Sequence, residues 1–530
     1  MITYIFLLIT FYLVLVLFIL IYLFTKGLHL LQAYQQSAYD IKRFMKYIKE
    51  NYKYTFGINE LLPYFLLLIN FLVLKRTNYV GHLLLVFFSI LFLYYNIKFF
   101  NISKKRYTTK LPLKYTWRVK RLIISLSILS ILKFVISTLL GLPILISIIG
   151  TSYLLPLYII VSGLINLPIE NKIKNNFKKQ ATDKIKALTN LTVVGITGSY
   201  GKTSIKNIIN DVLKEEKITL QTPSSFNTPM GLSITINNEL TKMHEVFLAE
   251  MGAYYLGEIQ ELANMVHPKI GIVSAIGPQH LETFKTIENI QKTKMELIES
   301  LPQDGIGILN YDDQYLKEYQ LKNKVLIKWY SLENKNVDLY GYDITYLTSG
   351  MTFKINFKNQ EYLVETKLLG KHNIYNILAA ILVADSQKIP ITKILKNIKK
   401  IEKIEKRLEL KHINSELTII DDSFNGNITG IKEGVQILSR YQNTKILITP
   451  GIIDGGAQNY QLNKEFAQSI KNIDYVIFIG KYNKKALTEG VNQNLKVKYF
   501  DNFIEGYNYA INIKGSKTML IANDLPDKYN

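Results

Sequence analysis

A helical transmembrane region followed by α/β, with a phosphate-loop parallel-sheet domain and a smaller dinucleotide-fold-like domain after it, is the fold class this sequence predicts. Three observations predict it. The first third of the chain is dominated by long aliphatic and aromatic runs. The stretch "GITGSYGKTSIKNII", Gly195–Ile209, joins a β-branched run to a helical pattern through glycines. Further on, "EVFLAE" and "PKIGIVSAIG" have strand composition, and "NIQKTKMELIES" has the spacing of a helix.

The apolar third comes first. Ile2 to Phe24 holds no charged residue, which is enough helix to cross a hydrocarbon core of about 30 Å. Further spans are expected at about Gly57–Leu74, Val80–Ile97, Leu122–Leu140 and Leu142–Leu164. Lys133 falls near the middle of the fourth, where a lone cation costs about 2.5–3.5 kcal/mol. It is expected to snorkel, to face another helix or to mark a functional contact.

Basic residues then set the orientation. Lys26, Lys42, Arg43, Lys46, Lys49 and Lys53 follow the first span. Lys104, Lys105, Arg106, Lys110, Lys114, Arg118, Lys120 and Arg121 follow the third, and Lys172, Lys174, Lys178 and Lys179 follow the fifth. The connection after the second has only Lys75 and Arg76. The positive-inside asymmetry puts the N-terminus outside and everything beyond the fifth span in the cytoplasm, a multi-pass arrangement in the cell membrane. Much of the formal charge of +22 is then a collar facing anionic lipid, and nucleic acid is not needed to explain it. With no cysteine in the chain, disulfides and thiolate zinc sites are excluded. The stretch "GLHLLQAYQQSAYDIKRFMKYI" is amphipathic; it is expected to lie in the bilayer interface or to pack on the later domains.

Next comes the loop. Gly198 and Gly201 let backbone N–H groups approach a phosphate, Lys202 reaches the outer phosphates, and Thr203 supplies a hydroxyl to Mg²⁺. The eight-residue phosphate-loop pattern has Ile196 where its first glycine belongs, but the core Gly198-x-x-Gly201-Lys202-Thr203 is intact. The strand-like run ending at Glu250 places a carboxylate at the carboxyl edge of the sheet, where metal ligands of such folds sit. His280 lies just past the next strand, and Lys294 is on the helix that follows.

Phosphate binding alone leaves open a transport or motor ATPase, a kinase and a carboxylate-activating ligase. The segments "LAEMGA", "IGPQHLETF", "KTKMELI", "LLGKHNIYNILAAILVA", "EKRLEL", "IIDDSFNGN", "ITPGIIDGG" and "NDLPDKY" follow the loop in an order that resembles the Mur ligase family, most closely its D-alanyl-D-alanine-adding branch. The resemblance covers the chain from about Leu191 onward.

The resemblance implies an amide-forming peptide ligase of peptidoglycan precursor synthesis that works through an acyl phosphate. Its substrates would be ATP, a lipid-linked or UDP-linked precursor peptide, and an amino acid or dipeptide. It further implies that Gly198, Ser199, Gly201, Lys202, Thr203 and Ser204 hold the ATP phosphates, with Lys202, Glu250, His280 and Lys294 catalytic. Thr203 and Glu250 would bind one Mg²⁺, and His280 with a carbamylated Lys294 a second. Asn373 and Asn376 would frame the base, and Arg407 and Asp422 would close on phosphates and ribose from the C-terminal domain. Asn425 and Asn427 match an Asn-x-Asn pattern there. Phe424, Asp454 and Ala522 depart from the family pattern, the last two in the domain that brings the amine.

The expected division is 1–170 membrane region, 171–190 linker, 191–405 ATP-binding domain and 406–530 C-terminal domain. Two readings compete with the ligase. A membrane transport or regulatory ATPase requires paired intramembrane charges, for which only Lys133 qualifies, and an inactive scaffold requires a broken phosphate or metal site. In the resembled branch a small soluble domain for the UDP end precedes the ATP-binding domain. Here membrane spans and linker stand in that place, so a membrane-borne acceptor is expected.

Overall fold

A computed structural model of the chain describes residues 20–21, 23–56, 90, 94, 112–141, 144–223, 226–279, 281–347, 349–423, 428–453 and 458–523. The spans expected at Ile2–Phe24, Gly57–Leu74 and Val80–Ile97 lie almost entirely outside these residues. The chain forms two compact units, Met1–Lys174 and Asn175–Asn530.

In the first unit the fourth expected span falls in the helix Trp117–Leu139, whose start is capped by the Thr116 hydroxyl accepting from the Val119 N–H. The fifth falls in Ile144–Ala187, a helix that begins in this unit and ends in the second. Among the described residues these two helices are long and apolar enough to cross a membrane. Their polarity is inverted relative to a water-soluble bundle. Ile131 and Leu139 are 63% and 81% exposed, while polar groups turn inward. Arg121 pairs with the buried Glu170 at 2.7 Å, and the Asn166 amide donates to the Ser125 hydroxyl at 2.8 Å. Lys133 does face the neighbouring helix: its ammonium donates to the Ser147 hydroxyl at 3.0 Å and the Thr151 hydroxyl at 3.3 Å.

The amphipathic stretch includes the helix Ile41–Glu50, capped by Asp40. Phe44 and Ile48 are buried with Leu122, Leu155 and Ile159, so the apolar face is spent on helices of its own unit. Lys42, Arg43, Lys46 and Lys49 remain exposed on the other face.

The stretch 171–190, expected as a linker, is helical as far as Ala187. Its lysines and asparagines are mostly exposed, but Phe177, Ala181 and Ile185 recur every four residues. Ala181 and Ile185 enter the core of the second unit. That spacing is a helical face, which the polar composition hides.

The second unit is built on two sheets. The larger runs β2-β3-β1-β4-β5-β6-β7-β8-β9, with β1 Thr192–Thr197, β2 Thr219–Gln221, β3 Val246–Glu250, β4 Ile270–Val273, β5 Ile306–Asn310 and β6 Leu326–Ser331. It is completed by β7 Leu339–Leu347, β8 Gly350–Phe357 and β9 Gln360–Thr366. The strands up to β7 pair in parallel, and β7, β8 and β9 form an antiparallel meander. Helices cover both faces. The helices Lys202–Leu213 and Lys371–Ser386 pack one side through residues such as Ile205, Ile209, Ile377 and Leu378. The helix Ile287–Glu299 and the end of Ile144–Ala187 pack the other. Burial on both faces is why the parallel strands read as continuous apolar runs.

The smaller sheet runs β10-β11-β15-β12-β13-β14, with β10 Glu409–His412, β11 Leu417–Asp422, β12 Thr444–Thr449, β13 Tyr475–Ile479, β14 Lys496–Phe500 and β15 Lys517–Ala522. Only β10 is antiparallel to its neighbour. The α/β class is as the sequence predicts.

Candidate active site

Strand β1 lies between β3 and β4, the place where strand order reverses. Ligands of open α/β sheets bind in the crevice outside the carboxyl ends of such strands. Three chain segments leave the sheet there: the glycine loop after β1, Glu250 at the end of β3, and Ser274 after β4.

The loop geometry needs its glycines. Gly198 has φ +145°, and a Cβ there would come within 2.0 Å of the Ser274 Oγ. Gly201 has φ +81° and caps the helix Lys202–Leu213, while a Cβ there would touch the Asn376 Oδ1 at 3.4 Å. Ser199 and the β4 loop are cross-linked: the Ser199 hydroxyl donates to the Gly277 carbonyl and accepts from the Gly277 N–H, both at 3.0 Å. The Ser274 hydroxyl donates to the carbonyl of Thr197 at 3.3 Å and to that of Tyr200. This leaves a rigid, side-chain-free cradle at a helix N-terminus, which is an anion site by geometry and by dipole.

Lys202 folds back over the cradle, its ammonium donating to the Gly198 carbonyl at 2.6 Å. Beside it the Thr203 hydroxyl donates to the Glu250 Oε1 at 3.1 Å, and the Asn227 amide donates to the same oxygen at 3.3 Å. A hydroxyl beside one carboxylate suits Mg²⁺, a hard cation that keeps several waters and takes the rest of its shell from phosphate oxygens. Among the described residues no cluster of three or more acidic, histidine or cysteine side chains forms a closed metal cage.

Charge in the crevice is unusual. Burial, together with the Arg407 guanidinium, pushes Lys202 down to about 8 against the pull of Glu250. Lys294, 3% exposed on the helix Ile287–Glu299, is lowered to about 7 by burial and then by Lys202, against Glu258 and Glu296. From the C-terminal sheet, Asp422 at the end of β11 is raised by burial to about 7, with His372 and Arg407 opposing. Arg407 itself is lowered by burial against Asp422 and Glu250, so it lies within electrostatic reach of both. Perturbed lysines and a perturbed carboxyl in one crevice mark a functional site.

The model describing the Mur ligase middle domain matches residues 196–384, the segment that builds this cradle. Residues 196–384 are thus a Mur ligase middle domain. The UDP-N-acetylmuramoyl-tripeptide–D-alanyl-D-alanine ligase of Buchnera aphidicola subsp. Baizongia pistaciae is 32% identical over 304 residues, 57% of this chain and 66% of the relative. The ligase of the same name from Escherichia coli is 27% identical over 292 residues, 54% of this chain and 64% of the relative. The chain thus spans just under two thirds of the length of each.

Among solved structures, MurF from Acinetobacter baumannii has a TM-score of 0.61 at 22% identity, covering 66% of this chain and 77% of that one. MurF from Thermotoga maritima, in complex with ADP, has a TM-score of 0.59 at 21% identity, covering 66% and 80%. These two share the fold.

The fold brings together most of the residues the sequence singles out. Gly198, Ser199, Gly201, Lys202, Thr203 and Glu250 form one cradle, and Ser204 is buried in the first turn behind it. Asn373 and Asn376 sit one turn apart on the helix Lys371–Ser386. The Asn376 amide donates to the Asn373 Oδ1 at 3.0 Å, and that of Asn373 donates to the Leu369 carbonyl at 2.8 Å. His280, Phe424, Asn425, Asn427 and Asp454 lie outside the described residues.

Sequence reasoning missed Lys206, Asn227, Ser274 and Asp313, whose carboxylate accepts from the Ile276 N–H at 2.7 Å and holds the β4 loop. Asn227 carries a faint signal, since "NTPMG" is a turn and N-cap sequence. The others read as ordinary helix, strand-end and cap residues.

Proposed function

We propose that this protein is a membrane-anchored, ATP-dependent enzyme of peptidoglycan precursor synthesis, forming an amide bond with its catalytic unit on the cytoplasmic side. The observation that carries the reading is the glycine cradle with Lys202, placed beside the Thr203–Glu250 pair at the reversal point of the sheet. Relatives named for D-alanyl-D-alanine addition, and a family structure solved with ADP, support it.

The chain's own groups account for most of the chemistry. Backbone N–H groups of the loop and the helix N-terminus hold the nucleotide's phosphates. Lys202 and Arg407 face the charge that moves when the terminal phosphoryl group passes to a substrate carboxylate, giving an acyl phosphate and ADP. An amine then attacks the acyl carbon; the amide forms, phosphate leaves, and the amine loses its proton. Thr203 and Glu250 would hold Mg²⁺, which when bound would supply Lewis-acid stabilisation of phosphate oxygens. Lys294 as a neutral amine is poised for carbamylation, which would replace a cation by an anionic oxygen donor for a second metal ion. Asn373 and Asn376 frame the base, and Asp422 meets the ribose. The C-terminal lobe brings the amine and excludes water from the acyl phosphate.

The inverted polarity of the first unit supports a membrane anchor. A tether raises the effective concentration of anything carried in the same leaflet, so the acceptor is assigned as a lipid-linked precursor peptide. The amine is D-alanyl-D-alanine or an amino acid. The test is direct competition: full-length enzyme in nanodiscs is given lipid-linked and UDP-linked tripeptide, and kcat/KM is compared with each amine. Preference for the lipid-linked form is expected. Equal or better use of the UDP-linked form removes the lipid acceptor, and amide formation with neither removes the ligase reading.

A further inference from the structure

Lys206 lies one helical turn beyond Lys202 and three residues beyond Thr203, on the same helix Lys202–Leu213. Its neighbours Ile205, Ile208 and Ile209 are core residues, and Lys206 goes in with them: its side chain is 1% exposed. The ammonium donates to the Thr222 carbonyl at 2.7 Å and to the Glu250 Oε2 at 3.0 Å. The Glu250 side chain is 2% exposed, and its other oxygen accepts from Thr203 and Asn227. The Glu250 N–H donates to the Thr222 hydroxyl at 3.2 Å, so the pair is locked to the edge of the sheet from both sides.

A buried ammonium is costly unless it is matched by a counter-charge and hydrogen-bonded, and here it is both. The consequence falls on the carboxylate. With its charge matched by Lys206, Glu250 adds little net attraction for a divalent cation. Lys202 and Arg407, the cations next closest in effect, make the crevice positive. A free Mg²⁺ entering it meets no net negative field. A triphosphate reverses that sign, and metal and phosphate then bind together.

We propose that Lys206 is a positioning residue that makes metal entry conditional on nucleotide: it fixes the Glu250 carboxylate, leaving Oε1 toward Thr203, and cancels its charge. This rests on the reading of Thr203 and Glu250 as metal ligands. The ion pair is the switch element, and the helix turn that carries both Thr203 and Lys206 fixes its geometry.

The test uses the full chain in nanodiscs with Mn²⁺ as probe, its free fraction read by electron paramagnetic resonance, with and without a non-hydrolysable ATP analogue. The wild type retains Mn²⁺ only with the analogue. Lys206→Met binds Mn²⁺ without nucleotide about tenfold more tightly than wild type, as expected for removal of one nearby positive charge. Lys206→Arg keeps the wild-type pattern, and adding Glu250→Gln to Lys206→Met abolishes the nucleotide-free binding.

A merely structural lysine would move the melting temperature and leave metal affinity alone. A folded Lys206→Met with unchanged nucleotide-free affinity overturns the proposal. So does tight Mn²⁺ binding by wild type without nucleotide, a measurement that needs no variant to fold. Should wild type bind Mn²⁺ in neither condition while still binding the analogue, the metal-ligand reading of Thr203 and Glu250 falls instead, and this proposal with it.

Discussion

Lys294 offers the sharpest test of the crevice, because its expected chemistry can be worked from its surroundings. Carbamylation requires a neutral amine to attack carbon dioxide, forming an N–C bond and releasing a proton. At a pKa of about 7, half of the Lys294 side chains are neutral at pH 7. At the ordinary lysine value of 10.5, only about one in three thousand would be. Burial, with Lys202 second, therefore raises the reactive fraction by about a thousandfold. The neutral fraction climbs from about one tenth at pH 6 to about nine tenths at pH 8, the ratio of neutral to charged amine rising about tenfold per pH unit.

At fixed dissolved carbon dioxide, occupancy of the carbamate should rise with pH more steeply than that curve, because the step also releases a proton, until the site is full. Carbon-13 NMR of enzyme equilibrated with labelled bicarbonate reads it directly, with Lys294→Ala as the blank. Lys294→Ala is expected to be nearly inactive and partly rescued by a short carboxylic acid added in trans. An active, nucleotide-saturated enzyme showing no carbamate signal between pH 6 and 9 would refute the modification, and full activity in Lys294→Ala would refute any role for the side chain.

Three further outcomes are expected. Lys202→Ala should lower ATP turnover by several orders of magnitude while the circular dichroism spectrum stays that of a folded protein, because it removes a cation that faces the moving phosphoryl charge; near-normal turnover would remove the loop as the ATP site. His372 pairs with Glu433 at 2.6 Å, and this carboxylate outweighs burial, so its folded pKa is raised above the ordinary 6.5. The contact's stabilisation is therefore complete below the unfolded value and is lost as pH rises through the folded one. The ring is 40% exposed, which keeps the effect small, and Glu433→Gln should lower the melting temperature by a few degrees at pH 6 and progressively less at higher pH. For topology, the chain has no cysteine of its own, so single cysteines at Lys105 and Thr77 can be tested in intact cells with an impermeant thiol reagent. Thr77→Cys should react and Lys105→Cys should be protected; the same result at both sites would contradict the orientation drawn from the basic residues.

The sequence alone determined the local parts of this protein. Glycines at 198 and 201, followed by Lys202 and Thr203, specify a loop between a strand and a helix, because backbone conformation and apolar period are properties of neighbouring residues. Family segments in order from Leu191 named the α/β architecture, and the structure gathers Gly198, Ser199, Gly201, Lys202, Thr203 and Glu250 at the ends of β1 and β3. Where composition misled, at 171–190, polar residues concealed a four-residue apolar spacing, and the stretch is helical to Ala187.

Only the tertiary structure decided which side chains meet. Lys206 and Glu250 are 44 residues apart, and Lys206 has the look of a solvated helix lysine until β3 is placed beside β1 and β2. Ser274 is silent in the sequence, yet its hydroxyl stands 2.0 Å from where a Cβ on Gly198 would be. The order β2-β3-β1-β4 puts them there. Strand order is chosen by the packing of a whole sheet between two helical layers, and no local pattern carries that information.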